Sequence, residues 1–177
     1  MNRCTVGRVV AAAVLLIAPA AVVADTSGPP DHPRHPWMSH RPGSFARYKR
    51  ITSRNGGNTE LVQTTTLREV TKAGYTLEFA YDNNAAKPRE ATYAADYQDF
   101  LQQFDKGASG KETITVGGKS YACTWTEYSY KEEKKLNYKV KVWRTPAVVG
   151  GTVKSVATID TGGGMTITTE LIESKRK

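Results

Sequence analysis

A mainly β fold, with one curved antiparallel sheet or half-barrel of about eight strands and one short helix, is predicted by three features of the sequence. Tyr75, Leu77, Phe79 and Tyr81 alternate with Thr76, Glu78 and Ala80, a clean period of two. Turn signals recur at short intervals: Asn55-Gly56, Gly117-Gly118 and Gly150-Gly151. Only one segment, Tyr97, Phe100, Leu101 and Phe104, has helical spacing. Short links between strands imply antiparallel neighbours, because a parallel sheet would need several crossover helices.

In chain order, residues 1–24 have the three-part pattern of a cleaved secretory signal peptide. Arg3 and Arg8 precede an apolar run from Val9 to Ala20, and Val22 and Ala24 are small residues placed for a cut before Asp25. The apolar run is shorter than the roughly 20 residues of a spanning helix, so the expected membrane contact is through this cleaved segment alone. Export to the periplasm or the medium follows as an expectation. Residues 25–41 form a leader with Pro29, Pro30, Pro33 and Pro36, which favour an extended path. Trp37 stands out in it as a large apolar side chain that gains by docking on the domain. Residues 42–177 are then one β-rich domain.

Within that domain Phe45 to Ser53 is a basic first strand, and Asn55-Gly56 turns it into Glu60 to Val70, where Thr64-Thr65-Thr66 favours extended backbone. Tyr75 to Tyr81 follows. Between Pro88 and Gly110, Asp96 is a plausible N-cap and Gly107 a plausible stop for a helix over Tyr97 to Phe104; an irregular loop is the alternative. Glu112 to Val116 and Lys119 to Tyr130 flank Gly117-Gly118, and a charged tip at Lys131 to Lys135 leads to a strand with Tyr138, Val140 and Val142 on one side. Trp143 falls with Lys139 and Lys141 by parity, so either a bulge turns it inward or it sits at an exposed rim. Thr152 to Asp160 and a last strand marked by Met165, Ile167 and Leu171 complete the set. Core positions expected from the alternation are Leu77, Phe79, Phe100, Leu101, Phe104, Tyr121, Cys123, Trp125, Val140, Val142, Ile159, Ile167 and Leu171.

The charge is +8 overall, and the two signal-peptide arginines contribute part of it. The remaining excess gathers in Arg34, Arg41, Arg47, Lys49, Arg50 and Arg54 and in Lys175-Arg176-Lys177. Such an excess confers solubility or attracts an anionic envelope polymer. Nucleic acid is not an expected partner, because the aromatics alternate with polar residues as core faces do. Removal of the signal leaves Cys123 as the one cysteine, so no internal disulfide is expected.

Enzymatic readings find little support. The three histidines, His32, His35 and His40, all lie in the leader, too loosely held for a metal site. Cys123 and any serine nucleophile therefore lack a histidine within the domain, and Tyr121 and Trp125 on its face suggest a buried thiol. Glu78, Asp96, Asp99 and Glu127 offer carboxylates but no pairing. The expectation is a non-enzymatic protein with no cofactor and no metal, taking a lipid or other amphiphile through Trp125, Trp143 and Tyr128. The alternatives are a basic interaction module of the envelope and a carboxylate-dependent hydrolase.

Three pieces together carry a resemblance. His35-Pro36-Trp37 followed by Pro42-Gly43-Ser44-Phe45, the Cys123-Thr124-Trp125 strand, and Trp143 with Pro146 through Gly150-Gly151-Thr152-Val153-Lys154 resemble a group of uncharacterised exported bacterial proteins. The resemblance runs from about His35 to Ile172, and the polar His40 departs from that group's pattern. In architecture it is similar to the curved sheets of the lipoprotein-carrier (LolA/LolB-like) group. That likeness implies a bent sheet around a helix and a concavity able to hold lipid.

Overall fold

The structure is a computed structural model that describes residues 35–82, 86–95, 97, 101, 104–131, 137–160 and 164–177. The expected signal peptide, the proline-rich part of the leader and His32 lie outside the described residues. The chain forms one open, curved antiparallel sheet. Its strands are β1 (Phe45–Arg54), β2 (Gly57–Val70), β3 (Gly74–Tyr81), β4 (Arg89–Ala94), β5 (Asp105–Val116), β6 (Lys119–Lys131), β7 (Asn137–Arg144), β8 (Thr152–Asp160) and β9 (Met165–Lys175). Their order across the sheet is β4-β3-β2-β1-β9-β8-β7-β6-β5. Two meanders thus run outward from a central seam, where β1 pairs with β9 from Phe45↔Lys175 to Arg54↔Met165.

Local chemistry accounts for the hairpins. Arg54 pairs with Gly57 around Asn55 and Gly56, whose φ values of 50° and 77° are those of a two-residue turn with left-handed central residues. Asparagine and glycine are the residues that adopt this backbone at least cost. The β5–β6 turn is built the same way.

The mainly β antiparallel sheet is as expected, with nine strands where about eight are predicted; the ninth is β4, at the start of the Pro88–Gly110 segment that the sequence leaves open between a helix and an irregular loop. Arg-Glu-Ala-Thr-Tyr-Ala offers only Ala91 and Tyr93 to one side, but as an edge strand it needs pairing on one side alone, through Gly74↔Ala94 to Phe79↔Arg89. Gly107 does not stop a helix, because it lies inside β5, which starts at Asp105. Of the predicted Tyr97–Phe104 helix, Phe100 and most of its length lie outside the described residues. Among the described residues Pro36–Ser39 form a 3-10 turn and Leu101 also has 3-10 backbone, and Phe104 N–H donates to the Leu101 carbonyl at 3.1 Å.

The core lies at one end of the sheet. Ala46, Leu67, Tyr75, Leu77, Val116, Cys123, Val148, Val149, Val153 and Leu171 form one buried cluster, and Trp37 at 6% exposure belongs to it. The Trp37 ring lies over the β7–β8 turn: a Cβ on Gly150 would come within 2.7–2.9 Å of it. Pro36 packs beside Gly151, and His35 stacks on Tyr75 of β3 at 5.0 Å between centroids. The leader therefore ties the two meanders together. The C-terminal end closes beside it: Lys177 N–H donates to Ser44 Oγ at 3.1 Å, and Val149 N–H to Ser174 Oγ at 2.8 Å.

Leu77, Phe104, Cys123, Val142 and Leu171 are buried as expected, and Phe79 and Tyr121 pack against the cluster. Leu101, Trp125, Val140, Ile159 and Ile167 are only half-buried. Val140, Ile159 and Ile167 lie toward the opposite end of their strands from the buried cluster.

Candidate functional site

Trp125 and Trp143 are brought together and Tyr128 is not. Trp125 of β6 pairs directly with Trp143 of β7, so both project from the same side of the sheet. Tyr128 pairs with Val140 and has opposite parity, which puts it on the other side. There its hydroxyl accepts from Arg144 Nη1 at 3.2 Å. The three residues do not form one binding surface.

The tryptophan pair is half-buried and already engaged by neighbouring side chains. Lys141 Nζ sits 3.9 Å from the Trp125 ring centroid and 5.0 Å from that of Trp143, a cation shared by two aromatic faces. Trp125 lies over Gly110, where a Cβ would meet its ring at 2.9 Å. Trp143 Nε1 donates to Glu112 of β5, and its ring packs against the core cluster. The parity conflict at Trp143 thus has a specific outcome. The register does shift between Trp143 and Arg144, yet Trp143 keeps the lysine side. It is half-buried, and Glu112 meets it from β5, which extends with β6 past the last β6–β7 pair, Thr124↔Arg144.

Cys123 belongs to the same overhang. It is 4% exposed and pairs with Glu112. Burial, and then the Glu112 carboxylate, push its thiol up from the ordinary value. A neutral, enclosed thiol is a poor nucleophile. A maleimide reagent at neutral pH is expected to label the native domain far more slowly than the denatured chain; rapid native labelling would contradict this burial.

The other chemical candidates do not converge. Glu127 pairs with Lys141 at 3.8 Å and Glu78 with Arg68 at 2.5 Å, on strands separated by five others in the sheet, and Asp96 and Asp99 lie outside the described residues. His40 titrates below its ordinary value, through burial first and the Arg176 charge second. Among the described residues no group of three or more His, Cys, Asp or Glu side chains is placed to hold a metal, and no helix is long and apolar enough to cross a membrane. Arg47 and Lys49 of the basic first strand are paired with Asp82 and Glu60.

What sequence reasoning missed is the other side of the sheet. Register aligns Tyr130, Tyr138, Ile159 and Met165 in one row across β6, β7, β8 and β9. The next row is Tyr128, Val140, Ala157 and Ile167. Seven of these eight side chains are half-buried, and Tyr130 is 39% exposed. Phe104 covers one corner, with its ring 5.1 Å from Tyr130 and 6.2 Å from Tyr138. At this end of β7, opposite the Trp37 end, lies a groove of about 380 Å³ lined in part by Tyr130 and Tyr138. Asp105, Asp160 and Lys139 bring charge to its wall, and Ser129, Asn137 and Thr158 bring neutral hydrogen-bonding groups. Alternation within each strand signals which residues share a side, but only the pairing register shows that the rows line up, and that Asp105, Ser129, Lys139 and Thr158 of the groove form a row on the opposite side.

Compared with known proteins, the chain matches no family model, no curated protein and no solved structure.

Proposed function

We propose that this chain is an exported protein without enzymatic activity that holds an apolar or amphiphilic partner against the Tyr128–Ile167 side of its curved sheet. One observation carries the proposal: two register-aligned rows of apolar and aromatic side chains remain half-exposed on one side of the sheet. Burying a methylene is favourable by about 0.8 kcal/mol. An acyl chain laid along the rows would therefore gain several kcal/mol against the cost of its own ordering. The resemblance to the lipoprotein-carrier group points the same way. Contact with an anionic polymer through the first strand has less support, since Arg47 and Lys49 already have carboxylate partners. A carboxylate hydrolase has less still, since Glu78 and Glu127 are each held by a cation on separate strands.

The test is direct. Organic extraction of the purified mature protein should release an amphiphile identifiable by mass spectrometry. A fluorescent fatty-acyl probe should bind the emptied protein. Ile167→Asp, in the centre of the second row, should weaken the probe at least about tenfold, the equivalent of 1.4 kcal/mol, with circular dichroism unchanged. Undiminished binding by both Ile167→Asp and Val140→Asp would overturn the proposal.

A further inference from the structure

We infer that the amphiphile held against the Tyr128–Ile167 side of the sheet has an anionic head, a phosphate or a carboxylate, and that Arg50 and Arg54 of β1 receive it. This rests on the amphiphile reading above and adds the charge of the head and the residues that bind it. Three observations carry it.

The first is register. Arg54 pairs with Met165, so it is the next member of the outer row after Tyr130, Tyr138, Ile159 and Met165. Thr52 pairs with Ile167 and extends the second row in the same way, and Arg50 pairs with Thr169 one step further along. Beyond Arg54 the outer row meets Gly57 of β2, which has no side chain. A chain lying along the rows therefore reaches an arginine at its β1 end.

The second is the division of charge between the two sides of the sheet. Glu60 pairs with Ile51, Glu78 with Thr66, Glu127 with Lys141 and Glu170 with Lys154, and each of these pairs has the parity opposite to the rows. Every other Asp and Glu of the nine strands falls on that opposite side as well. On the side of the rows the charged strand residues are all cationic: Arg50, Arg54, Arg89, Lys106, Lys111 and Arg144. An anionic head meets no like charge from the strands there, and a cationic head meets nothing else.

The third is availability. Arg47 and Lys49, on the opposite side of the same strand, are held by Asp82 and Glu60. Among the described residues neither Arg50 nor Arg54 has a carboxylate within ion-pair distance. Arg50 is half-buried and Arg54 exposed. Arginine presents a fork of donors that matches the paired oxygens of a phosphate or carboxylate. The two arginines lie about 13 Å apart along the extended strand, and Thr52 between them adds a hydroxyl donor on the same side.

Amphiphiles with one chain and different heads test the assignment. Octyl phosphate, octyl glucoside and octyltrimethylammonium, each below its micelle concentration, are titrated calorimetrically into the delipidated mature protein at low ionic strength. Octyl phosphate should bind about tenfold tighter than octyl glucoside, and octyltrimethylammonium should bind weakest. The double variant Arg50→Gln, Arg54→Gln should lose the phosphate preference while still binding octyl glucoside. Lys49→Gln, next to Arg50 in the chain but on the opposite side of the sheet, should keep it. Any order in which octyl phosphate is not the tightest would overturn the head-group inference and leave the apolar-surface reading standing. A preference that survives in the double variant, or that Lys49→Gln removes as completely, would place the selection elsewhere and overturn it too. Failure of all three to bind would overturn both readings.

Discussion

Trp37→Ala is expected to destabilise the domain by roughly 3–5 kcal/mol, the usual cost of truncating a buried tryptophan. For a domain of this size that corresponds to a melting temperature lower by roughly 6–20 °C. Trp37 comes from a short 3-10 turn with no strand of its own, so its anchorage is almost wholly side-chain packing. It joins the buried cluster, sits over the β7–β8 turn and follows His35, which is stacked on β3. Removing the indole should therefore loosen both halves of the sheet at their common end. Thermal unfolding by circular dichroism gives the stability, and limited proteolysis should show new cleavage between residues 35 and 42. A loss below about 1 kcal/mol with no new cleavage would mean that the turn is not fixed by this ring.

Gly150→Ala is expected to cost roughly 2–5 kcal/mol, from two separable sources. Gly150 has φ +73°, and a side chain in that region costs about 1–2 kcal/mol. Its Cβ would also lie 2.7 Å from the Trp37 ring, an overpacking of roughly 1–3 kcal/mol. The Trp37→Ala background removes the second source and leaves the first. The two substitutions should therefore be non-additive, with a coupling of about 1–3 kcal/mol measured by denaturant unfolding of the four proteins. Strict additivity would show that the ring does not rest on this glycine.

Trp125 shows how differently a tryptophan behaves when it is half-exposed. The sequence makes it a core residue as plausibly as Trp37, because it alternates with polar residues in a long strand. It proves to be sandwiched between Lys141 and Gly110. Its truncation should cost less than that of Trp37, since part of its surface is already in water.

Period-two alternation and paired turn residues made most strands legible, because side-chain direction and turn type are local properties. β4 was not legible, because an edge strand needs little apolar content to pair. Val148 and Val149 were hidden by their place in a turn, where apolar residues are not expected to be core, yet both are buried beneath the leader. The pairing of Trp125 with Trp143, and the separation of both from Tyr128, depend on register and parity across strands. The apolar rows likewise combine residues from β6, β7, β8 and β9, and the groove residues from β5, β6, β7 and β8, that no local pattern associates.

The central seam bears on how the molecule is assembled. β1 and β9 lie side by side in the middle of the sheet although nearly the whole domain separates them in sequence. Each meander can zip up by neighbouring hairpins, but joining them closes a loop of more than a hundred residues, an entropic toll exacted late and slowly. Until β9 arrives, the β1–β4 ribbon shows an unsatisfied edge at what will become the interior of the sheet, the kind of edge that invites intermolecular pairing.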